Sequence, residues 1–419
     1  MFRFLHAADI HIDSPLKGLA RYENAPAEEL QGATRVAFTK LITQAIALDV
    51  DFLVIAGDLY DGDWPDYNTG LFLVHQMARL NSAGIPVVMI SGNHDAQSKI
   101  TKSLRLPENV RMLSADKPET FVLEELGVAI HGQGFAKAAV TEDLSVNYPR
   151  PKSGYFNIGL LHTSADGRAG HDNYAPCSVQ TLKNFGYDYW ALGHIHQREV
   201  LCESPWILFS GNTQGRHIRE VGAKSATLVS VVDGSVTDVS EVLTDDVRWA
   251  HLRLDISGLE GESDLLEQYR EMLSAELDAS GGRLLAFRVE TIGEGTLHRS
   301  LSSETERWTN ELRALTSELQ GRCWLEKLRL SSSTPKRLST DRNALDNLLS
   351  GMEARAANSD TLGQVSRELL TPLFKKLPRD WRDGEDGFQP LEEDSMRDLA
   401  KDVMGLLQER LGRADEAEF

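Results

Sequence analysis

Apolar runs alternate with amphipathic segments along the first half of the chain. Phe2 to Ala8, Phe52 to Ala56 and Pro86 to Ile90 are nearly uninterrupted apolar runs, typical of strands buried on both faces. Between them, apolar residues recur at intervals of three and four and predict two helices: Val36, Leu41, Ile42, Ala45 and Ile46 in the first, and Leu71, Leu73, Val74, Met77 and Leu80 in the second. This order predicts a mostly parallel sheet with crossover helices.

The second half of the chain changes character twice. From about Arg248 it reads as strand WAHLRLDI, helix Ser263 to Leu277, strand LLAFRVETI, helix Ser303 to Leu319 and strand CWLEKLRL. After Ser331, the polar linker SSSTPKRLST precedes two predicted helices, at 362–376 and 395–411. We therefore divide the chain into residues 1–245, a smaller α/β unit at 246–331, and a linker with C-terminal helices at 332–419.

Length and cysteine content limit the class of protein. The chain has 419 residues, and single cores rarely exceed roughly 250 to 300 residues, so more than one domain is expected. Cys177, Cys202 and Cys323 are too few and too widely spaced to suggest a disulfide framework or a thiolate zinc site, which favours a reducing cytoplasm. The apolar run from Met1 to Ala8 is too short for a signal peptide. No apolar run approaches the roughly 20 residues that span a membrane.

Residues with metal-binding side chains follow five of the apolar runs. They are Asp9 and His11 in AADIH, Asp58 in AGDLYD, Asn93 in SGNHD, His162 in LLHTS, and His194 and His196 in GHIH. Taken singly, these short motifs are typical of turns or of buried histidines. Their joint occurrence where strands end favours a metal site, because parallel strands gather such residues at one edge of the sheet. The nitrogen and oxygen donors suit two divalent ions, with manganese, iron and zinc as candidates.

The order of these motifs carries a family resemblance. D-x-H, G-D-x-x-D, G-N-H-D, a later histidine and G-H-x-H resemble the signature of the calcineurin-like metallophosphoesterases. Within them, the segments FRFLHAADIHIDSPL, AGDLYD and LFSGNTQGRHIRE are similar to the DNA-repair exonuclease branch, of the SbcD nuclease subunit and YhaO type. The resemblance implies an α/β four-layer sandwich of two mixed sheets flanked by helices, with a smaller α/β capping domain and a helical C-terminus. The second sheet would include Thr120 to Leu123, Val128 to Gly132, Phe156 to Leu161, Ile207 to Ser210 and Ala226 to Val232.

The resemblance also implies a role for each residue. Asp58 would touch both metals; Asp9, His11 and His196 would complete the first, and Asn93, His162 and His194 the second. A water shared by two such ions becomes a hydroxide near neutral pH and attacks phosphorus. His94 would stabilise the developing charge or protonate the leaving oxygen. Asp95 would fix the tautomer of His94 or cap the turn, and Asp61 stands where some relatives carry histidine.

Candidate substrate-binding residues are basic or histidine side chains near the motifs. They are Lys99, Lys102, Arg216, His217 and Arg219, with a solvated helix or loop face as the alternative interpretation. The formal net charge of -19 predicts that this chain alone binds DNA weakly and in a salt-sensitive way.

The resemblance implies, and we predict, a two-metal-dependent DNA exonuclease, with Mn²⁺ as the expected metal, that hydrolyses phosphodiesters in DNA repair together with an SbcC-like coiled-coil ATPase. Two alternatives stay open: a phosphodiesterase or phosphatase acting on nucleotides or phosphoproteins, and a regulatory scaffold for the ATPase. The apolar stripe from Met396 to Leu411 would pack on its own domain or dock the partner. A homodimer is a further open alternative.

Overall fold

The computed structural model describes residues 1–14, 25–61, 67–97, 105–167, 174–319 and 322–335, with a few residues between 351 and 403. In this last region residues 368–372 and 374–376 are helical, as predicted for the C-terminus. The apolar stripe from Met396 to Leu411 lies outside the described residues except at Val403. None of the described helices is both long enough and apolar enough to cross a lipid bilayer.

The first sheet has the predicted parallel strands at its centre. In spatial order it consists of β12 (Ser235–Leu243), β11 (Ser225–Val232), β1 (Phe2–Ala7), β2 (Phe52–Ala56), β3 (Val87–Ile90) and β4 (Val110–Met112). Strands β1 to β4 are parallel, whereas β11 and β12 add antiparallel pairs at one edge. The two helices α1 (Ala27–Ala47) and α2 (Asn68–Ser82) pack their apolar stripes on its outer face.

The second sheet faces the first across a shared apolar layer. In spatial order it consists of β5 (Glu119–Leu123), β6 (Val128–Gly132), β7 (Phe156–His162), β8 (Tyr189–Gly193), β10 (Trp206–Phe209) and β9 (Glu199–Glu203). The layer between the sheets is rich in aromatic side chains, including Phe4, Phe52 and Tyr189. The short helix α3 (Val179–Asn184) contributes Leu182 to the core on the outer face. The predicted α/β four-layer arrangement of two mixed sheets is thus confirmed. One strand was assigned to the wrong sheet: Ala226 to Val232, predicted for the second sheet, lies in β11, which pairs antiparallel with β1 of the first sheet.

A third, smaller sheet is parallel throughout. Its strands β13 (Val247–Asp255), β14 (Leu284–Ile292) and β15 (Cys323–Leu330) are connected by α4 (Glu262–Ser280) and by α5 (Leu297–Ser303) with α6 (Thr305–Glu318). Tyr269 of α4, Trp308 of α6 and Phe287 of β14 belong to one separate apolar core. The predicted domain division at residue 245 falls in the connection between β12 and β13 and stays a prediction.

The third sheet is joined to the segment that follows β10. The side chain of Gln214 accepts hydrogen bonds from the backbone N–H groups of Asp246 and Val247, at 2.8 and 3.2 Å. The indole of Trp249 donates to the carbonyl of Gly215 at 3.0 Å. This same segment leads directly into Arg216 and Glu220, so the smaller unit is fastened to residues that lie beside the candidate site.

Candidate metal centre

The candidate metal-binding residues meet where the strands of both sheets end. Asp9 follows β1, Asp58 follows β2 and Asn93 follows β3, all in the first sheet. His162 is the last residue of β7, and His194 directly follows β8, in the second sheet. Because these strands are parallel within their sheets, their carboxyl ends bring all five loops to one edge, as open α/β sheets do.

The backbone turns sharply at these residues. Asp9, His11 and Asp58 have φ angles of 51°, 48° and 52°, and that of His194 is 99°. Residues other than glycine rarely adopt positive φ, and the conformation costs of order 1 kcal/mol or more at each position. The surrounding fold maintains these conformations, which is typical of residues whose side chains must be presented at a functional site.

The side chains are close enough to share ions. The Nε2 atoms of His11 and His196 lie 3.2 Å apart, and His196 Nε2 lies 3.9 Å from Asp9 Oδ1. Asp58 Oδ2 lies between two histidines, 3.9 Å from His11 Nε2 and 3.4 Å from His162 Nε2. Asp58 therefore contributes to both of the groups Asp9, Asp58, His162 and His11, Asp58, His94, each of which could hold a metal ion.

Asn93 and His194 complete the predicted set through contacts with these residues. Asn93 Oδ1 lies 2.9 Å from His162 Nε2. The backbone N–H of His194 approaches both carboxylate oxygens of Asp9, at 3.1 and 3.0 Å, and its ring centroid lies 5.2 Å from that of His162. The structure thus brings all seven predicted ligands together; their individual coordination stays a prediction.

Hydrogen bonds at Nδ1 orient two of the histidine rings, His162 and His196. His162 Nδ1 lies 2.9 Å from the carbonyl oxygen of Ala56, so this nitrogen carries the proton and donates it. His196 Nδ1 lies 2.6 Å from the carboxylate of Glu220, which likewise fixes the proton on Nδ1. In both rings Nε2 is then the nitrogen that faces the carboxylates of the centre and can bind a cation. Such outer partners are typical of metal-ligating histidines, and the donor set fits divalent ions.

The charges of the centre also favour a cation. Asp9 and Asp58 are buried, with 1% of each residue exposed. Burial alone would raise the pKa of Asp58, but His162, His11 and His94 together hold it well below its usual range. Burial would lower the pKa of His162, yet the Asp58 and Asp9 carboxylates raise it to about 9. Two carboxylates that draw a proton onto a fully buried imidazole form a site at which positive charge is stabilised.

His94 lies at the solvent side of the centre and pairs with Asp61. Its side chain is 36% exposed, and its Nδ1 lies 2.6 Å from Asp61 Oδ1. Burial would lower the pKa of His94, but the Asp61 hydrogen bond and the Asp58 charge raise it above its usual value. Its ring centroid lies 4.9 Å from that of His11, at right angles. Because Asp61 engages Nδ1, Nε2 is the other ring nitrogen of His94.

Asp95 does not orient His94, which corrects one prediction. Its carboxylate accepts hydrogen bonds from the backbone N–H groups of Leu59, Tyr60 and Gly92, at 3.2, 2.9 and 2.9 Å. These bonds tie the loop after β2 to the turn after β3, so the turn-capping alternative describes the residue. Adjacent residues in such a tight turn point in different directions, and the partner of His94 comes instead from the loop after β2.

The predicted substrate-binding residues have different surroundings. Lys99 and Lys102 lie outside the described residues. Arg219 is exposed, whereas the side chain of His217 is 27% exposed and its Nε2 lies 3.5 Å from Glu220 Oε1; substrate binding by either stays a prediction. The Arg216 side chain is only 11% exposed and pairs with Asp61 and Glu220, at 3.4 and 3.1 Å. Arg216 is therefore neither part of a solvated loop face nor a freely accessible cation.

Sequence reasoning did not identify Glu220 as a site residue. It is buried, at 7% exposure, and accepts hydrogen bonds from His196, from Asn212 Nδ2 and from the backbone N–H of Arg216. An acidic residue in the segment LFSGNTQGRHIRE is the only signal that the sequence offers. Its burial could be recognised only once the fold had brought this segment beside His196.

Comparison with known proteins gives the family. A sequence profile of the calcineurin-like phosphoesterases matches residues 2–198, and a profile of the middle domain of the metallophosphoesterase YhaO matches residues 249–333. The chain is 36% identical over 275 residues to the uncharacterized metallophosphoesterase YhaO of Bacillus subtilis (strain 168), an alignment that covers 65% of this chain and 67% of that protein. The chain belongs to the calcineurin-like metallophosphoesterase family. Its predicted resemblance to the YhaO type is confirmed.

More distant similarities extend to a repair protein and to solved structures. The chain is 29% identical over 251 residues to the DNA double-strand break repair protein Mre11 of Sulfurisphaera tokodaii, covering 55% of this chain and 62% of that protein. A crystal structure of a Thermus thermophilus protein matches 57% of this chain and 98% of that protein, at 14% identity and a TM-score of 0.34. A dimetal phosphatase from Danio rerio matches 58% of this chain and 98% of its own, at 11% identity and a TM-score of 0.36.

Proposed function

We propose that this metallophosphoesterase is a two-metal-dependent DNA exonuclease that works in DNA repair with an SbcC-like ATPase. The observation that carries the hydrolytic part is the convergence of Asp9, Asp58 and four histidine rings at the ends of both sheets, with His94 held beside them by Asp61. When bound, two divalent ions, for which Mn²⁺ is our choice, supply the activated water and neutralise the phosphate charge.

The residues of this chain would hold the ions, stabilise charge on the substrate and fix the tautomer of a ligand. Asp58, placed between His11 and His162, is the carboxylate that can hold both ions in register. His94 stabilises the charge that develops on the phosphoryl group or gives a proton to the leaving oxygen through Nε2, because Asp61 engages its Nδ1. The carbonyl of Ala56 keeps His162 in the tautomer that binds through Nε2.

DNA as substrate rests on the similarity to Mre11 and on the smaller α/β unit beside the site. That relative is a DNA double-strand break repair protein. A second unit fastened next to the centre through Gln214 and Trp249 favours a large substrate over a small one.

The three cysteines are free thiols, which supports the expected cytoplasmic setting.

A second candidate is a phosphodiesterase or phosphatase for a small phosphoester. The net charge of -19 favours it, because a polyanion is repelled by an acidic protein and such a substrate carries less charge. A purely regulatory scaffold is disfavoured by the complete donor set.

The test compares substrates with the purified full chain and Mn²⁺. We expect linear duplex DNA to be shortened from its ends, with closed circular DNA left intact and the rate falling as salt is raised. Asp58→Asn serves as the inactive control. Hydrolysis of mononucleotide esters without any DNA degradation would contradict the exonuclease proposal and establish the second candidate. Co-expression with a coiled-coil ATPase of the SbcC type then tests the partnership.

A further inference from the structure

Arg216 lies at the junction of two carboxylates that each hold a histidine of the site. Its Nη1 lies 3.4 Å from Asp61 Oδ2, and its Nη2 lies 3.1 Å from Glu220 Oε1 and 3.3 Å from His196 Nδ1. Asp61 in turn holds His94 at 2.6 Å, and Glu220 holds His196 at 2.6 Å. One planar guanidinium therefore links the orienting partners of both histidines.

Arg216 and the two carboxylates that it contacts are largely shielded from solvent. The side chains of Arg216, Asp61 and Glu220 are 11%, 17% and 7% exposed. Ser14 Oγ donates to Asp61 Oδ2 at 2.6 Å and approaches Arg216 Nη1 at 3.4 Å, so the carboxylate is held on a second side as well. Two poorly solvated carboxylates need positive charge nearby, because an uncompensated buried charge is strongly destabilising.

The shape of the side chain matters as much as its charge. A guanidinium presents several N–H groups in a rigid fork and can bind two carboxylates at once, whereas a lysine ammonium is a compact point charge on a flexible stem. The backbone N–H of Arg216 also donates to Glu220 Oε2 at 2.8 Å, which fixes the start of the side chain against the same carboxylate. Arg216 thus links the position of Asp61 to that of Glu220.

We propose that Arg216 is a positioning residue, which acts through Asp61 on His94, and both through Glu220 and by its own contact on His196, and which does not contact the substrate. Arg216 then influences the orientation of two side chains: His94, the proposed proton donor to the leaving oxygen, and His196, a predicted metal ligand. The catalytic consequence rests on the proposed function, whereas the effect on the two imidazole rings does not.

The first readout is independent of catalysis. In the full chain with selectively ¹⁵N-labelled histidine and no added metal, Arg216→Ala should shift the ring ¹⁵N signals of His94 and His196, because the Nδ1 partner of each is no longer held in place. Arg216→Lys keeps the charge without the fork and should shift at least one of the two. Arg270→Ala is the matched control, since it removes an arginine that is 53% exposed and pairs with Glu318 on the surface. Unchanged His94 and His196 signals in Arg216→Ala would overturn the proposal.

The second readout uses the metal-loaded full chain and aryl phosphodiesters of graded leaving-group pKa. Arg216→Ala should lower kcat on the order of 10²-fold for the poorest leaving group, the scale of a disturbed general acid. The loss should shrink for p-nitrophenolate, which needs no proton, and KM should change little. An equal loss for every leaving group with a raised KM would show direct substrate contact and overturn the proposal.

Two other outcomes also lead to a decision. If Arg216→Ala fails to fold by circular dichroism, Arg216→Lys decides the question with the same two readouts. If the wild-type chain hydrolyses neither DNA nor any of the diesters, the proposed function fails, while the ring signals still decide whether Arg216 positions the two histidines.

Discussion

Glu220→Gln should weaken metal binding without removing any residue that would touch the metal. Glu220 Oε1 accepts from His196 Nδ1 at 2.6 Å in a buried position, so its charge raises the basicity of the opposite nitrogen. Changes of such outer partners typically cost about 10- to 100-fold in metal affinity. That range corresponds to about 1.4 to 2.7 kcal/mol of binding free energy.

The same substitution should also lower the free energy of unfolding. Glu220 Oε2 accepts from Asn212 Nδ2 and from the backbone N–H of Arg216, both at 2.8 Å. Glutamine has one acceptor oxygen and one donor amide, so an oxygen that faces His196 leaves an NH₂ group against these two donors. Each buried donor that loses its partner costs about 1 to 3 kcal/mol. The weaker metal binding and the lower free energy of unfolding have the same cause: no uncharged side chain can accept all of the hydrogen bonds that the Glu220 carboxylate accepts.

The assay is competition with a chelating dye, which gives the Kd of the bound metal, together with thermal unfolding of the metal-free chain. Glu241→Gln is the matched control, because Glu241 is 48% exposed and its pair with Arg198, at 3.5 Å, should contribute little. A metal Kd for Glu220→Gln within about twofold of wild type, in a folded chain, would refute the orienting role of Glu220.

Three further predictions concern other parts of the chain. His94→Gln should lower turnover on the order of 10²-fold with metal content near normal, and metal loss in step with activity would make His94 a ligand. Gly92→Ala should reduce the metal content measured by mass spectrometry, because the added Cβ would lie 2.2 Å from Asp58 Oδ1; Gly32→Ala, with no heavy atom within 4 Å, is the control. A chain ending at Pro335 should stay folded and hydrolyse a small phosphodiester but no longer co-purify with the ATPase. Aggregation, or undiminished co-purification, would contradict that interpretation of the C-terminal helices.

The central strands could be predicted well because burial on both faces leaves a plain signal in the sequence. The run Phe52 to Ala56 coincides with β2, and Pro86 to Ile90 contains β3 (Val87–Ile90); every residue of both strands is buried. The motif clusters were equally informative, since ligands must follow strands if they are to meet at one edge. Two edge strands, β9 (Glu199–Glu203) and β12 (Ser235–Leu243), were missed. None of their residues is buried, and charged or polar residues interrupt their apolar positions, so their pattern resembles that of loops.

The supporting contacts of the site could not be predicted for a different reason. Sequence reasoning assigns charged residues to the surface unless a motif says otherwise, so Arg216 was interpreted as a substrate-facing cation. Its interior position depends on Asp61 and Glu220, which lie on loops far apart along the chain. Asp95 illustrates the converse, because its proximity to His94 in sequence did not bring the two side chains together. Long-range packing of irregular segments decides such contacts, and local pattern carries little information about it.

The most direct test of the account is the metal content and activity of Asp58→Asn. Asp58 lies between His11 and His162 and is the carboxylate common to two of the candidate metal groups. We expect the wild-type chain to bind two metal ions, measured by inductively coupled plasma mass spectrometry, and to hydrolyse bis-p-nitrophenyl phosphate. Asp58→Asn should bind fewer and hydrolyse none. Two ions per chain and undiminished hydrolysis in the folded variant would contradict a centre built around Asp58.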